Sequence, residues 1–445
     1  MDMGAYGIVP DGRDVGPGLM RAMAEERQVT LEKGVYMTSP IAIPSGTVLE
    51  IKEGAVLKLI PDFSLYEPVY TRWEGVQCWC LHPCIFINEA EDVTLKGPGC
   101  IDGSGPEWWK TANVRRKAEK PETELELRLA ALNPDYKEMP GGGGGRQVQF
   151  LRPPLLQIRE SRNVRVENLF LTESPFWTVH VLFSEGVVLD GLRISNPDDA
   201  PNTDGIDIES SFHVCVSNTE VSVGDDGIAV KSGSGIQGIR ENRPCGNILI
   251  KGCLVHASHG GAVIGSETAA DISHVTVEDC VFNGTDRGIR IKTRRGRGGH
   301  IHGLVFRNLE MKNNLTPFAV NSYYNCGDPS PELYSLDPMP VTSTTPRIEN
   351  VVVEGCRATG CRASAGMLTG LPELPVKNVL LKDCVFEVAE DASAPVSETD
   401  MFQGLPVPST RGFRIRYAKV RLENFHVVSD GEPVIVEEGA DIKIC

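Results

Sequence analysis

Two glycine-flanked turns near the middle of the chain carry three aspartates, Asp204 in the first turn and the pair Asp225 and Asp226 in the second. About 22 residues separate the two turns. If the fold places both turns on one surface, the carboxylates repel one another, and at least one should have a raised pKa and keep its proton. A protonated acid beside an ionised one is what the acid–base cleavage of a glycosidic bond requires.

Basic, imidazole and aromatic side chains accompany these acids at related positions. The segment GIRIKTRRGRGG is basic throughout, and its residues Arg290 and Lys292 can pair with a substrate carboxylate. His259 stands beside two glycines, and the segment SPFWTVH contributes Trp177, which can stack on a sugar, and His180. Each feature alone has a simpler interpretation: a turn aspartate, a hydrogen-bonded loop histidine or a solvated basic loop. Their occurrence on neighbouring repeats favours a binding groove.

A repeat supplies the framework that can bring these residues together. Ten aliphatic residues each precede an apolar residue by two positions and an Asn, Asp or Gly by four positions. Asn, Asp and Gly tolerate the left-handed backbone of a sharp turn. The ten origins of the repeat are Val93, Val164, Val187, Val214, Ile248, Val275, Leu304, Val351, Val379 and Val420.

The spacing of the repeat predicts the fold. From Val164 onward the steps measure 23, 27, 34, 27, 29, 47, 28 and 41 residues, which fits coils of three short strands with loops inserted in the longer ones. The fold class is therefore all-β, a single-stranded right-handed parallel β-helix of about ten coils stacked about 4.8 Å apart. We expect one domain over residues 1–445, with an entry region at 1–92 and insertions at 104–149 and 325–346.

Smaller elements are predicted around this framework. Helices are expected around residues 18–27 and 115–132, strands at 47–51 and 55–60, and a run of five glycines at 141–145 within the first insertion. Cysteines one place after the turn residue should form an inward column that Leu309 interrupts. The members of this column are Cys253, Cys280, Cys356 and Cys384.

A second register aligns four segments of the form Gly-apolar-x-apolar-x-Ser/Thr. Strand alternation sends their apolar residues inward and the residues between them, including Lys231, Arg290 and Lys292, outward. The inward positions are Ile206, Ile208, Ile228, Val230, Ala262, Ile264, Ile289 and Ile291.

Composition excludes several other functions. A net charge of -16 argues against a nucleic-acid partner, and the chain has no apolar run of 18 residues, so no membrane partner is expected. Thirteen cysteines and no visible leader favour free thiols and a cytoplasmic location, or secretion if a leader was removed. The stretch from Cys78 to Cys84 matches no common zinc spacing, and alternation on a strand explains it as well.

Four motifs together resemble the polygalacturonases of glycoside hydrolase family 28. The family pattern is N-T-D, G-D-D, G-H-G and R-I-K in that order, and it stands here as NTD at 202–204, GDD at 224–226, SHG at 258–260 and RIK at 290–292. Ser258 replaces the usual first glycine of the third motif. The resemblance extends over nearly the whole chain and implies a pectin-lyase-like solenoid that hydrolyses α-1,4-galacturonosyl linkages by inversion, without a cofactor or metal.

The resemblance also implies roles for individual residues. Asp225 would be the general acid, Asp204 and Asp226 would activate water, and His259 would tune the acid or hold substrate. A family tyrosine maps to Tyr323 or Tyr324, and we assign it to Tyr324. The predicted substrate-binding residues are Asn202, Arg290, Lys292, Trp177, His180, Tyr324, Lys231 and Arg294.

The sequence favours one mode of action and leaves three alternatives to galacturonan hydrolysis open. The insertion at 104–149 and the arginines at 294, 295 and 297 favour exo action, because they can close a groove and hold a terminal residue. A rhamnogalacturonan or xylogalacturonan hydrolase, a calcium-dependent pectate lyase and a non-catalytic glycan-binding solenoid are the alternatives. Carboxylates on adjacent coils would lie about 5 Å apart, which the general rule associates with retention, whereas the family is inverting. The sequence leaves the oligomeric state open.

Overall fold

The computed structural model describes residues 3–140, 143–325, 330–399 and 404–445. Two glycines of the predicted run, 141 and 142, and residues 326–329 of the second predicted insertion lie outside the described residues. The chain forms two compact units, Met1–Asp225 and Asp226–Cys445. Each unit is built from the same element, a coil of three short strands. The prediction of a single domain stays a prediction.

Strands at the same position of successive coils pair in parallel. In the first unit Val164 pairs with Val187, and Val187 pairs with Val214. In the second unit Ile248 pairs with Val275. The residues read from the sequence as origins of the repeat are therefore in register with one another. The predicted parallel β-helix is confirmed in each unit.

The first unit alternates first, second and third strands along the chain, so that β12, β13 and β14 form one coil. Its strands are β1 (Gln28–Leu31), β2 (Gly34–Thr38), β3 (Ile41–Ala42), β4 (Val48–Ile51), β5 (Ala55–Leu59), β6 (Pro68–Trp73), β7 (Val76–Leu81), β8 (Ile85–Asn88), β9 (Glu91–Lys96), β10 (Cys100–Asp102), β11 (Leu156–Arg159), β12 (Arg162–Glu167), β13 (Phe170–Thr172), β14 (Val179–Leu182), β15 (Glu185–Asp190), β16 (Arg193–Ser195), β17 (Ile206–Glu209), β18 (Phe212–Ser217) and β19 (Glu220–Ser222).

The second unit begins with a third strand and continues the same alternation up to β32, after which β33 and β35 each span a first and a second strand position. Its strands are β20 (Asp226–Lys231), β21 (Cys245–Lys251), β22 (Leu254–His256), β23 (Gly260–Gly265), β24 (Ile272–Glu278), β25 (Val281–Asn283), β26 (Arg287–Lys292), β27 (His300–Arg307), β28 (Glu310–Lys312), β29 (Thr316–Asn321), β30 (Arg347–Glu354), β31 (Arg357–Cys361), β32 (Gly366–Thr369), β33 (Val376–Val388), β34 (Phe413–Arg416), β35 (Ala418–Val428), β36 (Val434–Val436) and β37 (Asp441–Ile444).

The corner between first and second strands is short and left-handed. The ten predicted turn residues all have positive φ, from 47° at Asn424 to 120° at Gly97. In each coil from β12–β13 to β30–β31 the corner holds two residues, such as Asn168 and Leu169. The side chain of the second corner residue is buried, and in the second unit this place is filled by the predicted column of Cys253, Cys280, Cys356 and Cys384, with Leu309 between them.

The described residues contain four α-helices outside the strands: α1 (Gly16–Glu26), α2 (Gly105–Arg115), α3 (Glu124–Leu132) and α4 (Gly235–Glu241). The single helix predicted around residues 115–132 is wrong, because the first insertion holds two helices with a break between them. Pro121 cannot continue a helix interior. Thr123 then caps α3, since its hydroxyl accepts the N–H of Glu126 while the Glu126 carboxylate accepts the N–H of Thr123.

A β-hairpin that the repeat does not predict covers part of the first unit. Strands β6 and β7 pair antiparallel around Glu74 and Gly75, which both have positive φ, as a two-residue type I′ turn requires. The cysteine-rich stretch lies on this hairpin, and burial raises the pKa of Cys78 to about 12. A buried thiol of this kind packs as a small apolar residue.

The third strands of the second unit differ from the expectation in one respect. The predicted inward residues are buried, but the residues between them are buried too, so β20, β23, β26 and β29 present no exposed face. The charged side chains on these strands have partners inside the protein: Asp226 pairs with Arg290 and Lys292, and Lys231 pairs with Glu267, which follows β23. Among the described residues, no helix is long and apolar enough to cross a membrane.

Candidate active site

The first unit contributes an acidic pair, Asp204 and Asp225. Asp204 is buried just before β17, and its main-chain carbonyl accepts the N–H of Thr178 from the preceding coil at 2.8 Å. Asp225 is half-buried in the turn after β19. Each carboxylate offers an oxygen within 4.8 Å of the other. The spacing of the two acidic turns in the sequence is thus one coil, and two carboxyl groups this close can share a proton or hold a cation.

Arg152 holds the loop that carries Asn202. It is buried and donates to the carbonyls of Pro175 and Pro201, each at 2.8 Å, and to Asn202 Oδ1 at 2.8 Å. Its guanidinium carbon lies 5.0 Å from the ring centre of Phe176. Burial lowers the pKa of Arg152 to about 9, partly offset by the charges of nearby carboxylates, among them those of the acidic pair. Arg152 therefore positions Asn202 and places a positive charge near the acids.

Replacing Arg152 by Met should reduce both activity and stability. The variant leaves two buried carbonyls and the Asn202 amide oxygen without their donor, which we expect to lower the free energy of unfolding by about 3 kcal/mol. A displaced Asn202 should lower kcat/KM about tenfold. Thermal melts and steady-state kinetics measure the two effects, with Arg193→Met, an exposed arginine on β16, as the control. Loss of stability with unchanged kcat/KM would contradict the positioning role.

The aromatic residues predicted to meet substrate lie in a packed cluster of the first unit. Trp177 is buried, stacks on Phe176 with ring centres 5.3 Å apart, and meets the His180 ring edge-on at 5.0 Å. His180 accepts from Gln157 Nε2 at 2.9 Å through Nδ1, so its Nε2 donates to Glu209 Oε2 at 3.0 Å. Both ring nitrogens are engaged in this arrangement, and contact of Trp177 or His180 with substrate stays a prediction.

The second unit contributes a buried ion triplet formed by Asp226, Arg290 and Lys292. Lys292 Nζ lies 2.5 Å from Asp226 Oδ2, and Arg290 Nη1 lies 3.3 Å from Asp226 Oδ1. Burial by itself would raise the pKa of Asp226, but the positive charges of Lys292, Arg290 and Lys231 outweigh it and hold the pKa below its ordinary value. The pKa of Lys292 is raised, because Asp226 outweighs the effect of burial. Clustered acids predicted a raised pKa, whereas these cations keep Asp226 ionised.

Tyr324 covers the two cations of this triplet. Its ring centre lies 5.3 Å from the Arg290 guanidinium carbon and 5.2 Å from Lys292 Nζ, which is the geometry of a cation–π contact. Tyr323 instead packs with Tyr334, Leu371 and Leu405 in a separate apolar cluster. The tyrosine beside the predicted substrate-binding cations is therefore Tyr324. His259 is exposed immediately before β23.

The basic segment after β26 is used mainly for structure. Arg295 forms a two-point ion pair with Glu373, at 2.7 and 2.9 Å, and donates to main-chain carbonyls of the loop around residues 333–337. Arg297 donates to Ser234 Oγ at 2.8 Å, and Arg294 donates to the carbonyl of Arg295. Arg295 thus fastens the second inserted loop. The proposal that it holds a terminal sugar loses support, and contact of Arg294 with substrate stays a prediction.

Comparison with known proteins places the chain in a family. Residues 143–394, more than half of the chain, match the family described as Glycosyl hydrolases family 28. The chain belongs to glycoside hydrolase family 28. The predicted family and enzyme class, a glycoside hydrolase, are confirmed.

Several known proteins are similar to this family 28 enzyme. It is similar to a probable polygalacturonase of Vitis vinifera, 26% identical over 382 residues, which cover 84% of this chain and 70% of that protein. It is 30% identical over 330 residues to an endo-polygalacturonase of Pectobacterium parmentieri, covering 72% of this chain and 73% of that one. A solved hyperthermoactive exopolygalacturonase from Thermotoga maritima aligns with a TM-score of 0.74 and 25% identity, covering 96% of this chain and 91% of that one.

Two site residues of this family 28 enzyme escaped the sequence reasoning. Arg152 lies between Leu151 and two prolines, four residues before β11, and it belongs to none of the motifs or repeat positions. Glu267 follows the Gly-apolar segment of β23, and its Oε2 lies 2.9 Å from Lys231 Nζ. Burial opposes ionisation of Glu267, but Lys231 and Arg297 lower its pKa to about 2. Lys231, predicted to bind substrate, is therefore held by a buried carboxylate.

Proposed function

We propose that this family 28 enzyme hydrolyses α-1,4-galacturonosyl linkages by acid–base catalysis with Asp225 as the acid and Asp204 and Asp226 as the base. Galacturonan hydrolysis, the activity predicted from the motifs, agrees with the family and with relatives named as polygalacturonases. Asp225 gives its proton to the glycosidic oxygen. Asp204 and Asp226 take a proton from water, and the oxygen of that water bonds to the anomeric carbon as the glycosidic bond breaks.

One observation carries the assignment of Asp226 as part of the base. Its carboxylate is buried and paired with Lys292 and Arg290, so it stays ionised where an isolated buried carboxyl would keep its proton. The next residue back in the chain, Asp225, is half-buried and has a carboxylate neighbour in Asp204. Consecutive residues in such different surroundings suit opposite roles in proton transfer.

The same cations account for an acidic sugar as substrate. Arg290 and Lys292 supply three or more N–H donors beyond those that Asp226 accepts. A galacturonate carboxylate can pair with these donors beside the Tyr324 ring. A neutral sugar would gain nothing from them, and this preference for an anionic residue supports galacturonan over a neutral glycan.

The stereochemical outcome is a direct test of the catalytic roles. The general rule assigns retention to carboxyl groups about 5 Å apart and inversion to wider pairs, and Asp204 and Asp225 approach within 4.8 Å. We nevertheless expect inversion, as the family resemblance implies, because Asp204 acts with Asp226 on water rather than as a nucleophile. Proton NMR of the first product formed from trigalacturonate should show the β-anomer before mutarotation. An α-anomer as first product would overturn the base assignment.

The first insertion supports exo action. A pocket beside Asn202 is lined by α2 residues, by Arg116 and Arg152 and by the glycines 143–145. The loop is held in place because Gly144 N–H donates to Glu74 Oε1 at 2.8 Å, at the tip of the β6–β7 hairpin. An insertion and a hairpin that meet beside Asn202 suit a groove closed at one end, with arginines for an anionic terminal residue.

A product time course on polygalacturonate tests this mode of action. We expect monomer or dimer alone from the earliest samples, since a closed groove admits only a chain end. The variant Arg116→Ser, at an exposed arginine of the pocket, should raise KM for trigalacturonate about tenfold, whereas the control Lys117→Ser should not. Mixed oligomers at early times would rule out exo action while leaving the hydrolytic roles untouched.

A further inference from the structure

A cluster of histidines and carboxylates lies on the first strands of the second unit, whereas Asp226, Arg290 and Lys292 lie on its third strands. Asp271 directly precedes β24, and His300 and His302 belong to β27. Each of these three side chains offers a ligand atom within 4.8 Å of the other two. His300 and His302 are two positions apart on one strand, so their side chains point to the same face.

Strand register explains why these side chains converge. Ile272 pairs with Ile301 and Ser273 with His302, which sets Asp271 beside His300 at the start of the two strands. The main-chain N–H of His300 donates to Asp271 Oδ1 at 3.1 Å, which fixes the carboxylate near the imidazoles. The rings of His300 and His302 lie with their centres 4.1 Å apart. The arrangement is built by the sheet itself.

A carboxylate on the next coil completes the surroundings. His300 Nε2 lies 3.0 Å from Glu349 Oε1, and Arg347 holds the other oxygen of Glu349 at 2.9 Å. This bond places the proton of a neutral imidazole on Nε2 and leaves its lone pair on Nδ1. Histidines that bind metals usually donate their second nitrogen to a carboxylate in this way. The hydrogen bond to Glu349 therefore leaves Nδ1 of His300 able to bind a metal ion.

Two imidazoles of the cluster have no competing bond. Among the residues that the structure describes, the rings of His274 and His302 make no hydrogen bond, and their centres lie 5.8 Å apart. His302 lies next to the rings of His274 and His300 and pairs with Glu349 on the next coil. A group of this composition matches the preference of zinc-class ions for imidazole nitrogen with a carboxylate oxygen.

We propose that Asp271, His300 and His302 bind one divalent transition-metal ion of the zinc class, which ties β24 to β27. Ligand atoms about 2 Å from a tetrahedral ion lie about 3.3 Å from one another, so small side-chain rotations suffice to close the site. The fourth position is open to water. The ion stabilises the stacking of two coils, because it binds the folded arrangement and not the separated strands.

Calorimetric titration with zinc chloride tests the proposal. We expect the wild-type chain to bind zinc, the variant His300→Gln/His302→Gln to bind at least 100-fold more weakly at this site, and magnesium chloride to give no heat there, since Mg²⁺ prefers oxygen ligands. The matched control is His426→Gln, an exposed histidine on β35. Zinc should raise the Tm of the wild-type chain and of the control, and not that of the double variant.

Two further measurements keep the proposal falsifiable if the double variant folds poorly. Glu349→Gln should weaken zinc binding about 10- to 100-fold, as loss of a carboxylate behind a ligating histidine does. Cobalt added to the wild-type chain should give the strong visible absorption of a four-coordinate site. Wild-type chain that binds no zinc, a double variant that binds it as well as wild type, or cobalt with the spectrum of the hydrated ion would each overturn the proposal.

Discussion

Asp225→Asn should reduce kcat about 1,000-fold while the fold survives. The amide cannot give a proton to the glycosidic oxygen, and general acid catalysis contributes about 10²- to 10⁴-fold to such reactions. Asp225 is half-buried at the end of a turn, and the change preserves its shape, so the coil register should be unaffected. Steady-state kinetics on polygalacturonate and a thermal melt measure the two properties.

The control for this variant is Asp199→Asn, an exposed aspartate in the loop that precedes the first acidic turn. We expect it to keep the wild-type rate. KM of Asp225→Asn should change little, because the acid acts in the transition state rather than in ground-state binding. Turnover within a few-fold of wild type would refute the assignment of Asp225 as the acid.

Lys292→Met should lower kcat/KM about 100-fold and also destabilise the second unit. Lys292 is buried, and its replacement removes from Asp226 a partner that lies nearer than Arg290. Removing one partner of a buried ion pair costs about 3 kcal/mol or more, and a lost electrostatic contact to substrate costs about 10²-fold in rate. Kinetics on trigalacturonate and on a neutral oligosaccharide, with denaturant melts, separate the two effects.

The pH dependence of the same variant has a definite sign. The pKa of Asp226 is depressed in the folded chain, so its contribution to stability is present above the unfolded value of about 3.9 and is lost as pH falls through the lower folded value. Lys292→Met raises the pKa of Asp226 in the folded chain. The contribution of Asp226 to the free energy of unfolding therefore becomes smaller at every pH above its unfolded pKa. Because the base must be ionised, the acidic limb of kcat/KM should move to higher pH.

Lys312→Met, an exposed lysine paired with Glu310 on β28, serves as the control for both measurements. It should leave the pH profile and kcat/KM unchanged, since exposed ion pairs contribute little. If Lys292→Met keeps the wild-type acidic limb, Asp226 is not the group that sets it, and the base falls to Asp204 alone.

The solenoid could be predicted because its corner imposes residue types at fixed positions. Asn168, Asp279 and Gly355 occupy the same left-handed place in different coils, and their identities reveal the period. A second left-handed residue stands one place before nine of the ten origins, all except Val420, and the sequence does not reveal it because Asp92, His213 and other residue types share this position. A backbone conformation can be predicted from the sequence only where few residue types can adopt it.

The site could be predicted in part, for a related reason. Motif order predicted that Asp204, Asp225 and Asp226 share a site with Arg290 and Lys292. The contacts place Asp204 beside Asp225, and Asp226 beside Arg290 and Lys292. Arg152 could not be predicted, because its role depends on carbonyls at Pro175 and Pro201, and any residue type carries a carbonyl. Nor could the sequence show that Lys231 and Arg295 are bound by Glu267 and Glu373, since side-chain partners depend on packing.

The two-residue corner between first and second strands has a consequence for engineering the chain. One added residue there would turn every side chain of the following strand to the opposite face, because strand alternation has a period of two. The passages after second and third strands differ in length from coil to coil and carry the hairpin, the helices and both insertions. We therefore expect the chain to fold when peptide tags or loops are inserted at those connections and to misfold when they are inserted at the corner. Two of the three connections in each coil are then available for insertions.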